Sequence, residues 1–410
     1  MMSLKNKSFT SKLLTTAIFF GCMQILLWGL HKLSTKPIFD MLSLEHLLTV
    51  DGSFNDLYYQ QETVKQNPDI KNSGRLIVIN SGSFDKDSFR LQLAKIVGQL
   101  QKFKPKVIGI DHTFKNQNRT GTDSLIKIIE SSKNIVLSTN EIEKSPLNFK
   151  VDKAIYGNTS FEEEQISIRR YSSNKNTFAY KIASKLKNDN VTPFNHKSFF
   201  INYLTNSEEV FEITTPIDTL LHKFKKDNNL IVVEGIDLLN KKEFLQKFLQ
   251  KVGENNAFLI GHFGSDKIYD VINDREDRKR VPCDKNLVER KESMFGVQIH
   301  ANAIENYLNP EIRFYCWTDS IMFSIIKFIL IFLFIYYLLY VNLGKAFNII
   351  VLAVLTFPLI YLVLFLMSKN IYLEIGLTLI EILIIEEIIE TFESIHHYYT
   401  KLSKKWKKEI

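Results

Sequence analysis

Hydrophobic positions along this chain of 410 residues form two patterns, short runs in the middle and long runs near the ends. Leu76-Ile77-Val78-Ile79 is a short apolar run bounded by polar residues, which predicts a buried strand. Phe89, Leu93, Ile96, Val97 and Leu100 then recur at helical spacing and predict an amphipathic helix, ended by Pro105. Val107-Ile108-Gly109-Ile110 predicts the next strand, stopping at Asp111. A helix around Leu125 to Glu130 leads to a third strand, Ile135-Val136-Leu137. Strands alternating with helices of this length indicate βαβ units and a mainly parallel sheet with flanking helices, an α/β domain. Further on, Ala257-Phe258-Leu259-Ile260 reads as a strand stopped by the glycine turn at Gly261. A charged, irregular segment runs from Asp270 to about Glu292. Gly296 then precedes a helix with Val297, Ala301, Ile304 and Leu308 on one face.

The long runs have membrane dimensions. Lys5, Lys7 and Lys12 precede Leu13 to Leu30, about 18 apolar or small residues, close to the minimum for crossing a ~30 Å hydrocarbon layer. No small-x-small cleavage site follows, so an uncleaved anchor is expected rather than a signal peptide. Runs at 321–341, 346–367 and 371–389 supply three more candidate spans. Lys327 lies near the outer end of the first of these, where its side chain can reach the headgroups. Lys401, Lys404, Lys405, Lys407 and Lys408 crowd the tail, and basic residues favour the cytoplasmic side. The expected organisation is a cytoplasmic tail at 1–12, an anchor at 13–30 and an extracytoplasmic domain at 31–316. Three spans and a basic cytoplasmic tail at 390–410 complete it, in an α-helical membrane region.

Composition narrows this further. An apolar share of 45% suffices for one good-sized core and several spans. The net charge of +7 comes from lysines beside apolar segments at both ends, which points to lipid rather than nucleic acid. Three cysteines are too few for a disulfide scaffold; Cys22 lies in an apolar run, leaving Cys283 and Cys316 as the pair able to meet. There is no nucleophile elbow, no paired Cys and His and no HExxH, so neither an enzyme nor a cofactor is expected.

Gly-Val-Gln-Ile-His-Ala-Asn-Ala-Ile (296–304), after a strand ending Leu-Ile-Gly (259–261) and with Asp270 between, resembles the end of the type-two CHASE domain. That family comprises bacterial extracytoplasmic sensing domains. Val-Ile-Gly-Ile-Asp-His-Thr-Phe (107–114) resembles its central strand with a terminal aspartate. Gly121-Thr122-Asp123 before a helix and Asn134-Ile135-Val136-Leu137 fit the next unit. Gly157-Asn158 with Ile168-Arg169-Arg170 resembles its middle hairpin. Thr177-Phe178-Ala179 opens the matching helix, and Phe200-Ile201-Asn202-Tyr203 fits a following strand. The chain departs from the family where acidic residues commonly end the first strand; here stand Asn80-Ser81-Gly82. Of an arginine-containing turn before the first long helix only Arg90 remains. The segment from His222 to Val252, with a strand at Leu230 to Val233 and a helix carrying Phe244, Phe248 and Leu249, reads as an insertion.

In an open α/β sheet, ligands bind beyond the carboxyl ends of the strands. That edge gathers Asn80, Ser81, Asp111, His112, Gly261, His262 and Asp270 as candidate ligand-binding residues. A carboxylate with two imidazoles can hold a metal, yet the spacing matches no dense metal motif. Asp111 is as readily a loop cap. Gly261-His262-Phe263-Gly264-Ser265 offers amides to an anion but lacks the Gly-Lys-Ser/Thr ending of a P-loop. Gly296, His300 and Asn302 are expected to fix the helix that leads toward the membrane, with His300 and Asn302 as a polar pair at its start. Glu374 and Glu381, seven residues apart on one helix face, are expected to meet a partner within the membrane or to pack inside the chain's own bundle.

These readings give a sensor that binds a small molecule outside and signals through its membrane helices to a separate protein. The chain stops about 20 residues after the last run, too few for a fused kinase or cyclase. The alternative is a non-catalytic scaffold of an inner-membrane complex.

Overall fold

The computed structural model describes residues 9–34, 73–139 and 151–203 with short breaks, 231–263 without 241, 278–279, 294–316, 321–340 and 361–372, with Pro358, Ile389 and Tyr398. The chain divides into two compact units, Tyr59–Phe314 and a second formed by Met1–Tyr58 with Tyr315–Ile410.

The first unit is built on a six-stranded, all-parallel sheet. In chain order its strands are β1 (Leu76–Asn80), β2 (Val107–Ile110), β3 (Ile135–Thr139), β4 (Ile155–Asn158), β8 (Ile231–Glu234) and β9 (Ala257–Gly261). In space they run β4-β3-β2-β9-β1-β8. A separate three-stranded antiparallel sheet is formed by β5 (Phe161–Glu164), β6 (Ser167–Ser172) and β7 (Ser198–Phe200). The expected parallel sheet is therefore present, and the strands read at 76–79, 107–110, 135–137 and 257–260 all lie in it.

Alternation along each strand divides the apolar side chains between two cores. Ile77, Ile79, Ile108, Ile110, Phe258 and Ile260 point to one face. There they meet α2 (Phe89–Gln101) through Leu93, Ile96 and Leu100, and α3 (Thr122–Glu130) through Leu125 and Ile129. Leu238 from α5 (Gly235–Leu239) and Leu245, Phe248 and Leu249 from α6 (Glu243–Val252) complete this layer. Leu76, Val78, Val107, Val136 and Leu259 point to the other face, against α4 (Phe178–Leu186) and α7 (Gly296–Leu308). The result is a helix–sheet–helix sandwich. Thr177 caps α4, its hydroxyl accepting from the amide of Tyr180. Gly157 lets α4 approach β4, since a Cβ there would lie 2.5 Å from the Cα of Phe178.

Three sequence expectations change. The segment read as an insertion from His222 to Val252 holds, in its described part from 231, the expected strand and helix, and it is built into the sheet. There β8 pairs in parallel with β1, and α5 and α6 return the chain to the central strand β9, while 222–230 lie outside the described residues. The strand expected at Phe200 to Tyr203 is Ser198–Phe200, paired antiparallel with β6, while Ile201 and Tyr203 are buried beyond its end. Helix α7 is not amphipathic, because all thirteen of its residues are buried, including Gln298, His300, Asn302, Glu305 and Asn306.

In the second unit, α1 (Phe9–Ser34) covers the anchor expected at 13–30, and α8 (Ile321–Tyr340) the span expected at 321–341. Among the described residues one helix, α8, is long and apolar enough to cross a membrane. The two helices are antiparallel. Phe20 meets Phe328 and Phe332 edge-on at 5.8 and 6.1 Å, and the hydroxyl of Tyr340 donates to the carbonyl of Lys12 at 3.2 Å. Lys12 also lies over the Tyr340 ring. Tyr315–Cys316 pairs in parallel with Ile371–Tyr372. Most of the runs expected at 346–367 and 371–389, with Glu374 and Glu381, lies outside the described residues, as does Cys283 and with it any pairing to Cys316.

Candidate functional site

The carboxyl edge of the sheet has a switch in connectivity at its centre. From β1 and β2 the chain leaves to helices on one face, and from β9, which lies between them, it goes on to α7 on the other. Such a divergence opens a crevice between strand ends, the usual ligand position in parallel α/β sheets. The register sets six residues level across this edge on the α4/α7 side. Glu234 pairs with Asn80, Asn80 with Gly261, and Ser138 with Gly157. Asp111, one step past Ile110, stands between Gly261 and Ser138, its amide donating to the carbonyl of Ile260 at 2.8 Å. The sheet thus ends in a row that is polar or glycine throughout, directly after rows that are largely apolar.

Asn80 is buried and works as a strut. Its Nδ2 donates to Oε1 of Glu234 at 2.8 Å, and its Oδ1 accepts from the amides of Gly82 and Phe263, both at 2.9 Å. Three loops are tied by one side chain, a role different from the ligand contact expected of it. One amide of the supposed anion cradle, that of Phe263, is thereby already engaged. Gly264 and Ser265 lie outside the described residues, as does Asp270.

Ser81 and His112 form a second contact, Oγ to Nε2 at 2.7 Å. The His112 ring meets Phe89 edge-on at 4.8 Å. Burial, and secondarily the nearby His262, push the His112 pKa down to about 4, so the ring is neutral at pH 7. His262 is partly exposed and sits edge-on to Phe295 at 5.6 Å. A neutral imidazole held to a buried hydroxyl is a hydrogen-bonding wall rather than a charged one.

Gly261 belongs to packing. A Cβ there would stand 2.7 Å from both Cβ and Cγ2 of Val297, so its bare backbone admits α7 against β9. Arg90 is buried between α2 and α3, with Nη1 donating to the Thr122 hydroxyl at 2.6 Å and its guanidinium over the Phe114 ring.

His300 connects the edge to the interior. Its Nδ1 is 2.9 Å from the Tyr171 hydroxyl, which accepts from the amide of Ala179, and its Nε2 is 3.7 Å from Oδ1 of Asp111. Desolvation drives the His300 pKa to about 3, so this is a neutral ring facing a carboxylate and not an ion pair. Asn302 does not cap the helix start. It lies within α7, where its Nδ2 donates to the Gln298 carbonyl at 3.0 Å; the N-cap residue is Phe295. Among the described residues no group of three or more His, Cys, Asp or Glu is placed to hold a metal ion.

The structure thus brings together Asn80, Asp111, His112, Gly261 and His262, with His300 beneath. Sequence reading missed Glu234, Ser138 and Tyr171. Glu234 ends a segment read as inserted, Ser138 is one of several polar residues that follow the run 135–137, and Tyr171 stands between Arg170 and Ser172, so none of the three carries a local signal.

The model of the CHASE2 domain family matches residues 36–338, most of the chain. The protein therefore belongs to the CHASE2 family, an extracytoplasmic sensory domain family. No curated protein and no solved structure matches the chain.

Proposed function

We propose that the protein is a membrane-anchored extracytoplasmic sensor. A small molecule binds at the carboxyl edge between β1, β9 and β2, and the response passes through the membrane helices to a separate protein partner. The observation that carries this reading is the placement of Asp111, His112 and His262 just past the ends of the neighbouring strands β2 and β9, at the switch in connectivity of a CHASE2 domain. The antiparallel pair α1 and α8 supports an anchor that crosses outward and a helix that crosses back. The pairing of Tyr315 with Ile371 supports an even number of crossings between them, as two spans at 321–341 and 346–367 would make. A basic tail and termini on the cytoplasmic side complete the topology, with Glu374 and Glu381 available to a partner in the lipid.

The test is a binding screen on full-length protein in lipid nanodiscs against a panel of amino acids, organic acids, nucleosides and sugars. The expected result is a compound that raises the thermal midpoint of the wild type and does so at least tenfold more weakly in Asp111→Asn and His112→Ala. A panel that shifts nothing, with a non-catalytic assembly co-purifying in mild detergent, would replace the sensor by a scaffold.

A further inference from the structure

Helix α7 carries its polar groups inward along its whole length, and each end of it is fastened to something different. Near its beginning, His300 meets Tyr171 and faces Asp111 at the candidate site. Five residues on, roughly 7–8 Å along the axis, the Glu305 carboxylate receives three donors. The amide of Ser73 donates to Oε2 at 2.8 Å, the Ser73 hydroxyl to Oε1 at 2.7 Å, and Nδ2 of Asn309 to Oε2 at 3.1 Å. Ser73 lies three residues before β1, where the chain coming from α1 enters the sheet.

The last turn is fastened as firmly. Nε of Arg313 donates to the carbonyl of Asn306 at 2.8 Å and its Nη2 to that of Tyr307 at 3.0 Å, satisfying carbonyls that a helix end leaves unpaired. The same guanidinium lies 4.3 Å from the Phe194 ring centroid. Arg313 is two residues from Tyr315, where the chain leaves this unit for α8. One buried helix therefore holds the ligand edge at one end and, at the other, the two segments by which the chain comes from and goes to its membrane helices.

We infer that α7 is the output element of the domain, with Glu305 and Arg313 as the positioning residues that deliver its displacement to both membrane-proximal segments. This rests on the reading of the carboxyl edge as the input site. A close-packed interior shifts as a body rather than deforming locally. A change at Asp111 that tightens or releases His300 is carried along the helix to Ser73 and Arg313 together. Between the two ends Asn302 and Asn306 are buried as well, their side-chain amides donating to the carbonyls of Gln298 and Asn302 at 3.0 and 2.8 Å.

The experiment needs no ligand. Hydrogen exchange is followed by mass spectrometry on full-length protein in nanodiscs for the wild type, Asp111→Asn and Tyr171→Phe. The expected result is exchange about tenfold faster at 73–76 and 306–314 in both variants, with α2 on the opposite face unchanged. Glu305→Gln should reciprocally alter exchange at 110–112 and 298–301. Responses confined to the neighbourhood of each substitution would overturn the inference. If Asp111→Asn accelerates exchange everywhere, Tyr171→Phe, which removes one oxygen, and Glu305→Gln decide the matter on the same criterion. A far-end response without any binding compound would discard the ligand reading and keep the coupling. A local response in a protein shown to bind would do the reverse.

Discussion

Glu305 is a carboxylate almost wholly removed from water, and desolvation raises its pKa to about 7 despite the Ser73 hydrogen bonds and Arg75, which pull the other way. An unfolded glutamate titrates near ~4.3. The folded protein therefore holds this proton more tightly than the unfolded chain. The associated stability is complete below the unfolded value and is lost as pH rises through about 7. Full-length wild type should gain on Glu305→Gln as pH falls from 8 to 5, by about 3 kcal/mol at most. Denaturant midpoints of the two proteins measured in parallel across that range check it, and a constant difference would refute it. The buried histidines act in the opposite sense. With pKa values near 4 for His112 and 3 for His300, both below the ordinary value, they remove stability as pH falls from about 6.5 toward those values. Comparison with Glu305→Gln cancels their contribution. Little of this was legible in the sequence. The run 296–304 marks His300 and Asn302 as unusual, but a glutamate in the last turn of a helix reads as solvated until its burial is seen.

At the scale of elements, legibility followed burial. Strands β1, β2, β3 and β9 are covered on both faces, so each is a continuous apolar run with a sharp polar or glycine end. Helix α2 has a solvent side, and its spacing gave its buried face almost residue by residue. Helix α7 misled, since its polar residues find partners inside the protein instead of water, and periodicity cannot tell the two apart. Strand β8 misled because membership in a sheet is decided by pairing with β1, over 150 residues away, and not by its own four residues. The α7–β9 contact gives a further prediction. Gly261→Ala must displace Val297 or the helix, and should cost about 1–3 kcal/mol by overpacking. Thermal unfolding of the full-length variant measures the cost, and pairing it with Val297→Gly, which removes both of the carbons that a Cβ at 261 would meet at 2.7 Å, should recover most of the loss relative to Val297→Gly alone. No recovery would mean that the glycine is required for some other reason.

For the whole molecule, the family assignment and the α/β sandwich agree, while the membrane arrangement is argued from α1, α8 and the Tyr315–Ile371 pairing. Replacing the three native cysteines by serine and placing one cysteine at exposed Lys127 gives a direct check. A membrane-impermeant maleimide should label that position in intact cells, whereas a cysteine at Lys405 should react only after lysis. The opposite pattern would put the sheet in the cytoplasm and remove the sensor and the scaffold readings together.

The place of β9 between β1 and β2 has a kinetic consequence. The two strands that flank the middle of the sheet are made early, but the one that joins them emerges roughly 150 residues later. At typical elongation rates of about 5–20 residues per second, that is on the order of ten to thirty seconds during which the nascent amino-terminal half has no mate for its most hydrophobic edges. A chain arrested before Ala257 should be cut quickly by added protease and one arrested beyond Phe314 should resist. The early strands thus close into a sheet only when β9 arrives to take its place between them.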